Sequence, residues 1–127
     1  MLGTFEPSSL FSLGVALQAY SGKPVNVTTG QDSNGDGVFN DRPLGGLAPR
    51  NSLHGPGLLN LDINVAHDFH FSKEKKKGPV LTAALNMFNI LNHPNYVTFI
   101  GVVGPNLGFP AAANPGRRFQ LNLECKF

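Results

Sequence analysis

An alternation of apolar and polar residues recurs in four separate stretches of this chain and keeps the same parity in each. In the last ten residues, Phe119, Leu121, Leu123, Cys125 and Phe127 occupy odd positions, while Arg118, Gln120, Asn122, Glu124 and Lys126 occupy even ones. A strand turns successive side chains to opposite faces, so this pattern gives one apolar and one wet face; a helix would smear the same residues around its circumference. In "LLNLDINVAHDFHF" the odd positions carry Leu59, Leu61, Ile63, Val65, Phe69 and Phe71 and the even ones Asn60, Asp62, Asn64, Asp68 and His70, interrupted only by Ala66 and His67. "PVLTAALNMF" and "LFSLGVALQAY" repeat the arrangement more weakly, with Leu81, Ala83, Leu85 and Met87 in one and Phe11, Leu13, Val15 and Leu17 in the other.

These four stretches predict strands over about 9–29, 57–71, 80–89 and 117–127, the first prolonged through "KPVNVTTG". Between them lie long Gly/Asn/Pro-rich loops over about 30–56 and 90–116 and a short lysine-rich turn over about 72–79. "FNILNHP" reads as a helical turn leaving the third strand, because Pro94 blocks its continuation. The fold class is all-β, an antiparallel up-and-down meander of about four long strands. Composition supports strands and turns over helices, with 15 Gly, 10 Pro and 10 Phe and no Trp. Alternately long and short connections are the habit of transmembrane barrels, which have short turns on one side and longer loops on the other. In that arrangement Phe11, Phe69, Phe71 and Phe127 collect at one rim, with Tyr20 and Phe119 as candidates for the other.

Several functional classes lose support on the same residues. A net charge of +2, with its cations concentrated in Lys73–Lys77, gives no basic face for nucleic acid. Cys125 is the sole cysteine, so neither an internal disulfide nor a thiolate metal cluster is open to the chain. No run of about 18 apolar residues is present, which excludes a transmembrane helix but leaves a barrel untouched. "MLGTFEPSSLFSLGVALQAY" places Glu6 where a signal peptide carries positive charge. No nucleophile motif, phosphate-binding glycine loop or acid/base carboxylate pair is found, so the chain is not expected to be an enzyme.

Two groups of polar residues are candidate sites. In "DSNGDGVFND" the oxygen-bearing Asp32, Asn34 and Asp36, followed by Gly37, match positions 1, 3, 5 and 6 of an EF-hand-type calcium loop, and Asn40 falls at position 9. Position 12 is Pro43 in place of the expected Glu, so Asp41 or another loop would have to complete a calcium shell. A glycine-rich turn that uses Asn and Asp for left-handed backbone angles accounts for the same residues. The second group is the even-numbered row Asn60, Asp62, Asn64 and Asp68 with Gln120, Asn122 and Glu124, placed to face a lumen or simply to form its hydrated wall. His67 and His70, three apart on a strand, point to opposite faces and do not share a metal.

Taken in order, "YSGKPVNVTTGQDSNGDGVFNDRP", "RNSLHGPGLLNLDINVAHDFHF", "ALNMFNILNHPNY" and a last strand ending in Phe resemble the final strands of TonB-dependent outer-membrane receptors, the Oar-like group above all. The resemblance covers about Phe11 to Phe127. It implies a cell outer-membrane location and TonB-powered uptake or binding of a large ligand. It also implies that Phe119, Leu121, Leu123, Cys125 and Phe127 form the signal read by the barrel-assembly machinery. The implied partners are outer-membrane lipid, the remaining barrel and plug, and the TonB complex engaged through a missing N-terminal part. Such barrels have about 22 strands, and even the smallest has about 8. Four strands do not close, so the expectation is an open C-terminal fragment that does not transport alone. The alternative is a small soluble extracellular β-module that uses the Asp32–Asp41 loop for calcium-dependent adhesion; apart from that ion, no cofactor is expected.

Overall fold

The structure is a computed structural model, and it describes residues 2–5, 11–71 and 78–127. It is all-β: the described residues form nine strands and no helix. They divide into two compact units, one containing residues 1–19, 59–93 and 115–127 and the other residues 20–58 and 94–114.

The first unit is built on one five-stranded sheet. Its strands are β1 (Leu2–Phe5), β2 (Ser12–Tyr20), β5 (Leu58–His70), β6 (Val80–Phe88) and β9 (Arg118–Lys126), adjacent in that order. The meander expected from the alternation is therefore present, with β1 added beside β2 at the register Leu2↔Ala16 to Phe5↔Leu13. Antiparallel pairing joins β5 to β6 and β6 to β9. Ser12 Oγ donates to the Ala66 carbonyl, while Gly14 lies against Asn64. One index rises as the other falls, so β2 and β5 also run antiparallel.

Every one of these registers pairs odd positions with odd and even with even, which carries the alternation across strand boundaries. Ile63, Met87 and Phe119 form one cross-strand row, Val65, Leu85 and Leu121 the next, and Phe69, Leu81 and Cys125 another. The opposite face carries Asn64, Asn86 and Gln120 in one row and Asp68, Thr82 and Glu124 in another. A shift of one residue in any pairing would put apolar side chains among the carboxamides, so the pattern fixes the register.

Two corrections concern the strand bounds. The strand expected over 9–29 ends at Tyr20, and Pro24–Val25 forms a separate strand, β3, in a two-stranded sheet with β4 (Leu53–His54). Pro24 is the first residue of its strand, a position that tolerates its missing N–H. The long loops expected over 30–56 and 90–116 are likewise not without strands, for the second holds the hairpin of β7 (Tyr96–Phe99) and β8 (Pro110–Ala113). The segment after Phe88 forms one turn, closed by the Asn92 N–H on the Asn89 carbonyl at 2.8 Å, without a helix. Residues 6–10 and the lysine-rich Ser72–Lys77 lie outside the described residues.

The second unit is held by close backbone approaches that only glycine permits. A Cβ at Gly22 would overlap the Gly55 carbonyl, one at Gly55 would enter the Phe99 ring, and one at Gly101 would strike the Asn26 carbonyl. Thr28 then joins the two long connections, donating its N–H to Gly101 O and accepting from Val103 N–H, both at 2.9 Å. Val27, 9% exposed, and Asn95, 1% exposed, are buried in this unit.

Candidate functional site

The sheet's polar face is joined by hydrogen bonds across its strands. Asn64 Nδ2 donates to Asn86 Oδ1 at 2.6 Å, and Thr82 Oγ1 donates to Asp68 Oδ1 at 2.7 Å. Along β9, Gln120 Nε2 donates to Asn122 Oδ1 at 2.9 Å and Lys126 pairs with Glu124 at 3.5 Å. Beside them the Arg118 guanidinium lies 5.4 Å from the centre of the Phe88 ring. Asn64, Asp68, Gln120, Asn122 and Glu124 thus share one face of the sheet.

Asp62 has a further task on that face. Its Oδ1 accepts the backbone N–H of Asn89 at 2.8 Å. Asn89, 4% exposed, holds the turn that leaves β6: its Nδ2 donates to His93 O at 3.0 Å, and its Oδ1 accepts from His93 N at 3.1 Å. Asn89 and Asn92 have φ of 48° and 52°, a region that Asn enters more readily than most residues. The alternation alone marks Asp62 as one polar residue among several; its partner is 27 positions away.

The odd face is apolar, half-buried on its central strands and exposed on β9. Leu121 and Leu123 are 65% and 64% exposed, and Phe119, Leu85, Leu17 and Phe11 also stand in the open. Phe69 packs edge-on against His67 at 4.4 Å, which puts that histidine on the apolar face while His70 pairs with Val80 on the other. Phe69 pairs with Leu81 and Leu81 with Cys125, two residues before Phe127, so Phe69, Phe71 and Phe127 gather at one end of the sheet. All five residues expected to signal barrel assembly, Phe119, Leu121, Leu123, Cys125 and Phe127, are exposed. β9 is an edge strand and β1 the other edge.

The Asp32–Asp41 loop folds around its own carboxylates. Asp32 Oδ1 accepts from the N–H groups of Gly35 and Asp36 at 2.7 and 3.1 Å, and its Oδ2 accepts from Gly37 at 2.9 Å. Asn34 Oδ1 accepts from Asp36 N, Asp36 Oδ1 from Val38 N, and Asp41 Oδ2 from Ser33 N and Asn34 N. Glycines at positive φ, 76° for Gly35 and 83° for Gly37, allow this tight winding. Calcium takes about 6–8 oxygen ligands. Here the carboxylates of Asp32, Asp36 and Asp41 accept backbone N–H groups, which leaves lone pairs over on their oxygens; among the described residues no three His, Cys, Asp or Glu side chains gather to hold a metal. Asn40 lines a neighbouring cleft.

That cleft, about 510 Å³, brings Asn26, Asn34, Asn40, Asp41, Arg42 and Arg50 together beside Gly45 and Gly46. Arg42 donates from Nη1 to Ala48 O at 2.6 Å, closing the turn that supports it. Nothing in the sequence pattern singles out the two arginines. They are eight positions apart and line one cleft, beside the turn in which residues 42–48 wind back on themselves. A second cavity, about 480 Å³, is lined by Tyr20, Pro24, Pro56, Tyr96 and Phe99.

Compared with family models, curated proteins and solved structures, the chain matches none.

Proposed function

We propose that this chain is the C-terminal strand set of a TonB-dependent, Oar-like receptor barrel in the cell outer membrane, taking part in binding or uptake of a large ligand. The observation that carries this reading is the odd-numbered face: cross-strand rows of Leu, Ile, Val, Met and Phe run on over β5, β6 and β9. They are exposed at Phe69, Leu85, Phe119, Leu121 and Leu123 and half-buried at Ile63, Val65, Leu81 and Met87, and are backed by a face of hydrogen-bonded polar groups. Lipid would cover the first face and a hydrated lumen the second, as in a large barrel. The edges at β1 and β9 would be paired by further strands of the barrel, since an open edge invites association. Transport would belong to the complete barrel with its plug and its TonB contact. The odd row of β9, Phe119 to Phe127, is the segment that the assembly machinery would engage.

The test is where the sheet forms. Circular dichroism should show strand signal when the chain meets lipid vesicles or detergent micelles, reduced by Leu85→Arg but not by Thr82→Arg. A monomer that unfolds cooperatively in plain buffer, with Leu85→Arg and Thr82→Arg equally damaging, would overturn the reading. The soluble calcium-adhesion alternative has less support, since it requires a cover for the odd face.

A further inference from the structure

The geometry points to the cleft beside Arg42 and Arg50 as a binding site for a carboxylated, polyhydroxylated ligand, an acidic saccharide. This inference stands on the second unit alone and does not depend on the membrane reading.

The lining chemistry selects the class. Two arginines, Arg42 and Arg50, line the cleft with one carboxylate, Asp41, whose Oδ2 already accepts two backbone N–H groups, so the cleft favours an anion. A guanidinium presents five N–H donors in a planar fork suited to a carboxylate, and Arg42 has one of its nitrogens engaged with Ala48 O. Asn26, Asn34 and Asn40 add carboxamides, each able to donate and to accept, which is what hydroxyl groups require. Among the described residues no aromatic or long aliphatic side chain lines the cleft, which disfavours a nucleobase or an acyl chain.

Shape agrees with a ligand of sugar size. About 510 Å³ lies within the range of roughly 300–1,000 Å³ usual for small-molecule sites and exceeds the needs of a lone inorganic anion. One wall is Gly45–Gly46, where a Cβ would meet no protein atom within 4 Å, so the space these glycines leave clear is open to a ligand. Leu44, Gly45 and Gly46 have φ of 56°, 61° and 87°, and the turn is closed by the Gly46 N–H on Arg42 O at 3.0 Å. That turn fixes the backbone from which Arg42 extends.

The experiment titrates the full 127-residue chain in micelles, its strand content verified by circular dichroism, with trigalacturonate followed by calorimetry. Saturable binding is expected, at least tenfold tighter than for the methyl-esterified trisaccharide. Arg50→Gln, at an exposed position, should weaken trigalacturonate binding about tenfold and leave the ester unchanged, and Arg50→Lys should restore part of the loss. Equal affinity for acid and ester, indifference to Arg50→Gln, displacement by equimolar inorganic phosphate, or no saturable binding by the strand-containing chain would each overturn the inference. If Arg50→Gln loses its strand signal, the acid-to-ester ratio of the wild-type chain decides the question by itself. Failure here leaves the lipid-contact test of the odd face untouched.

Discussion

Asp62 on β5 and Asn89 at the end of β6 are joined by a 2.8 Å hydrogen bond from the Asn89 backbone N–H to the Asp62 carboxylate. Asn89 is nearly fully buried, and its side chain in turn holds His93. A side chain on the polar face thereby anchors the exit of the neighbouring strand. Asp62→Ala leaves that N–H without its acceptor and should cost about 1–3 kcal/mol. The midpoint of urea unfolding in micelles measures it, and an unchanged midpoint would mean that the bond contributes nothing.

Asn89 also separates two effects. Asn89→Gly keeps a residue suited to φ of 48° while removing the side-chain bonds; Asn89→Ala removes the bonds and adds left-handed strain of about 1–2 kcal/mol. Both should destabilise, the alanine variant more. Equal midpoints would show that backbone conformation at this site is not the constraint.

The second unit depends on bare backbone at Gly22 and Gly55. Gly55→Ala drives a methyl group into the Phe99 ring, and Gly22→Ala drives one into the Gly55 carbonyl. Backbone or ring must shift in either case, at a cost of about 1–3 kcal/mol, the range for overpacking. Gly35→Ala meets open space and is opposed only by its φ of 76°, so it should be milder. Limited proteolysis within residues 20–58 gives the order, with the Gly22 and Gly55 variants expected to be cut faster than Gly35→Ala.

Asp32 serves three backbone N–H groups. Asp32→Ala should destabilise the loop by about 0.5–2 kcal/mol, the cost of losing a side-chain cap. If the loop is a glycine-rich turn that holds no calcium, this loss is the same with calcium or with chelator. A wild-type melting temperature raised by millimolar calcium, with the rise abolished in Asp32→Ala, would instead favour the calcium-adhesion alternative.

The parts of the fold legible in the sequence were those set by neighbours two residues apart. The stretches read as strands over 57–71, 80–89 and 117–127 correspond to Leu58–His70, Val80–Phe88 and Arg118–Lys126, because alternation is a local signal and each stretch carries it for seven residues or more. The break after Tyr20 was illegible, since it follows from Gly22 meeting Gly55, 33 positions on. Leu2–Phe5 is too short to show a period and gains its strand character from pairing with residues 13–16. The polar row was legible as a row, but not the bond from Asp62 to Asn89. The arginine cleft needed the winding of residues 42–48, which no local pattern announces.

The membrane reading stands or falls on the odd face of the sheet meeting lipid and the even face meeting water. The chain has no tryptophan, so a single one reports without background. Leu121→Trp and Asn122→Trp, adjacent on β9 and on opposite faces, should be compared in vesicles containing brominated lipid and then with aqueous acrylamide. Bromine should strongly quench the reporter at residue 121, and acrylamide the reporter at residue 122. Equal quenching of both by acrylamide, with bromine without effect on either, would contradict the reading.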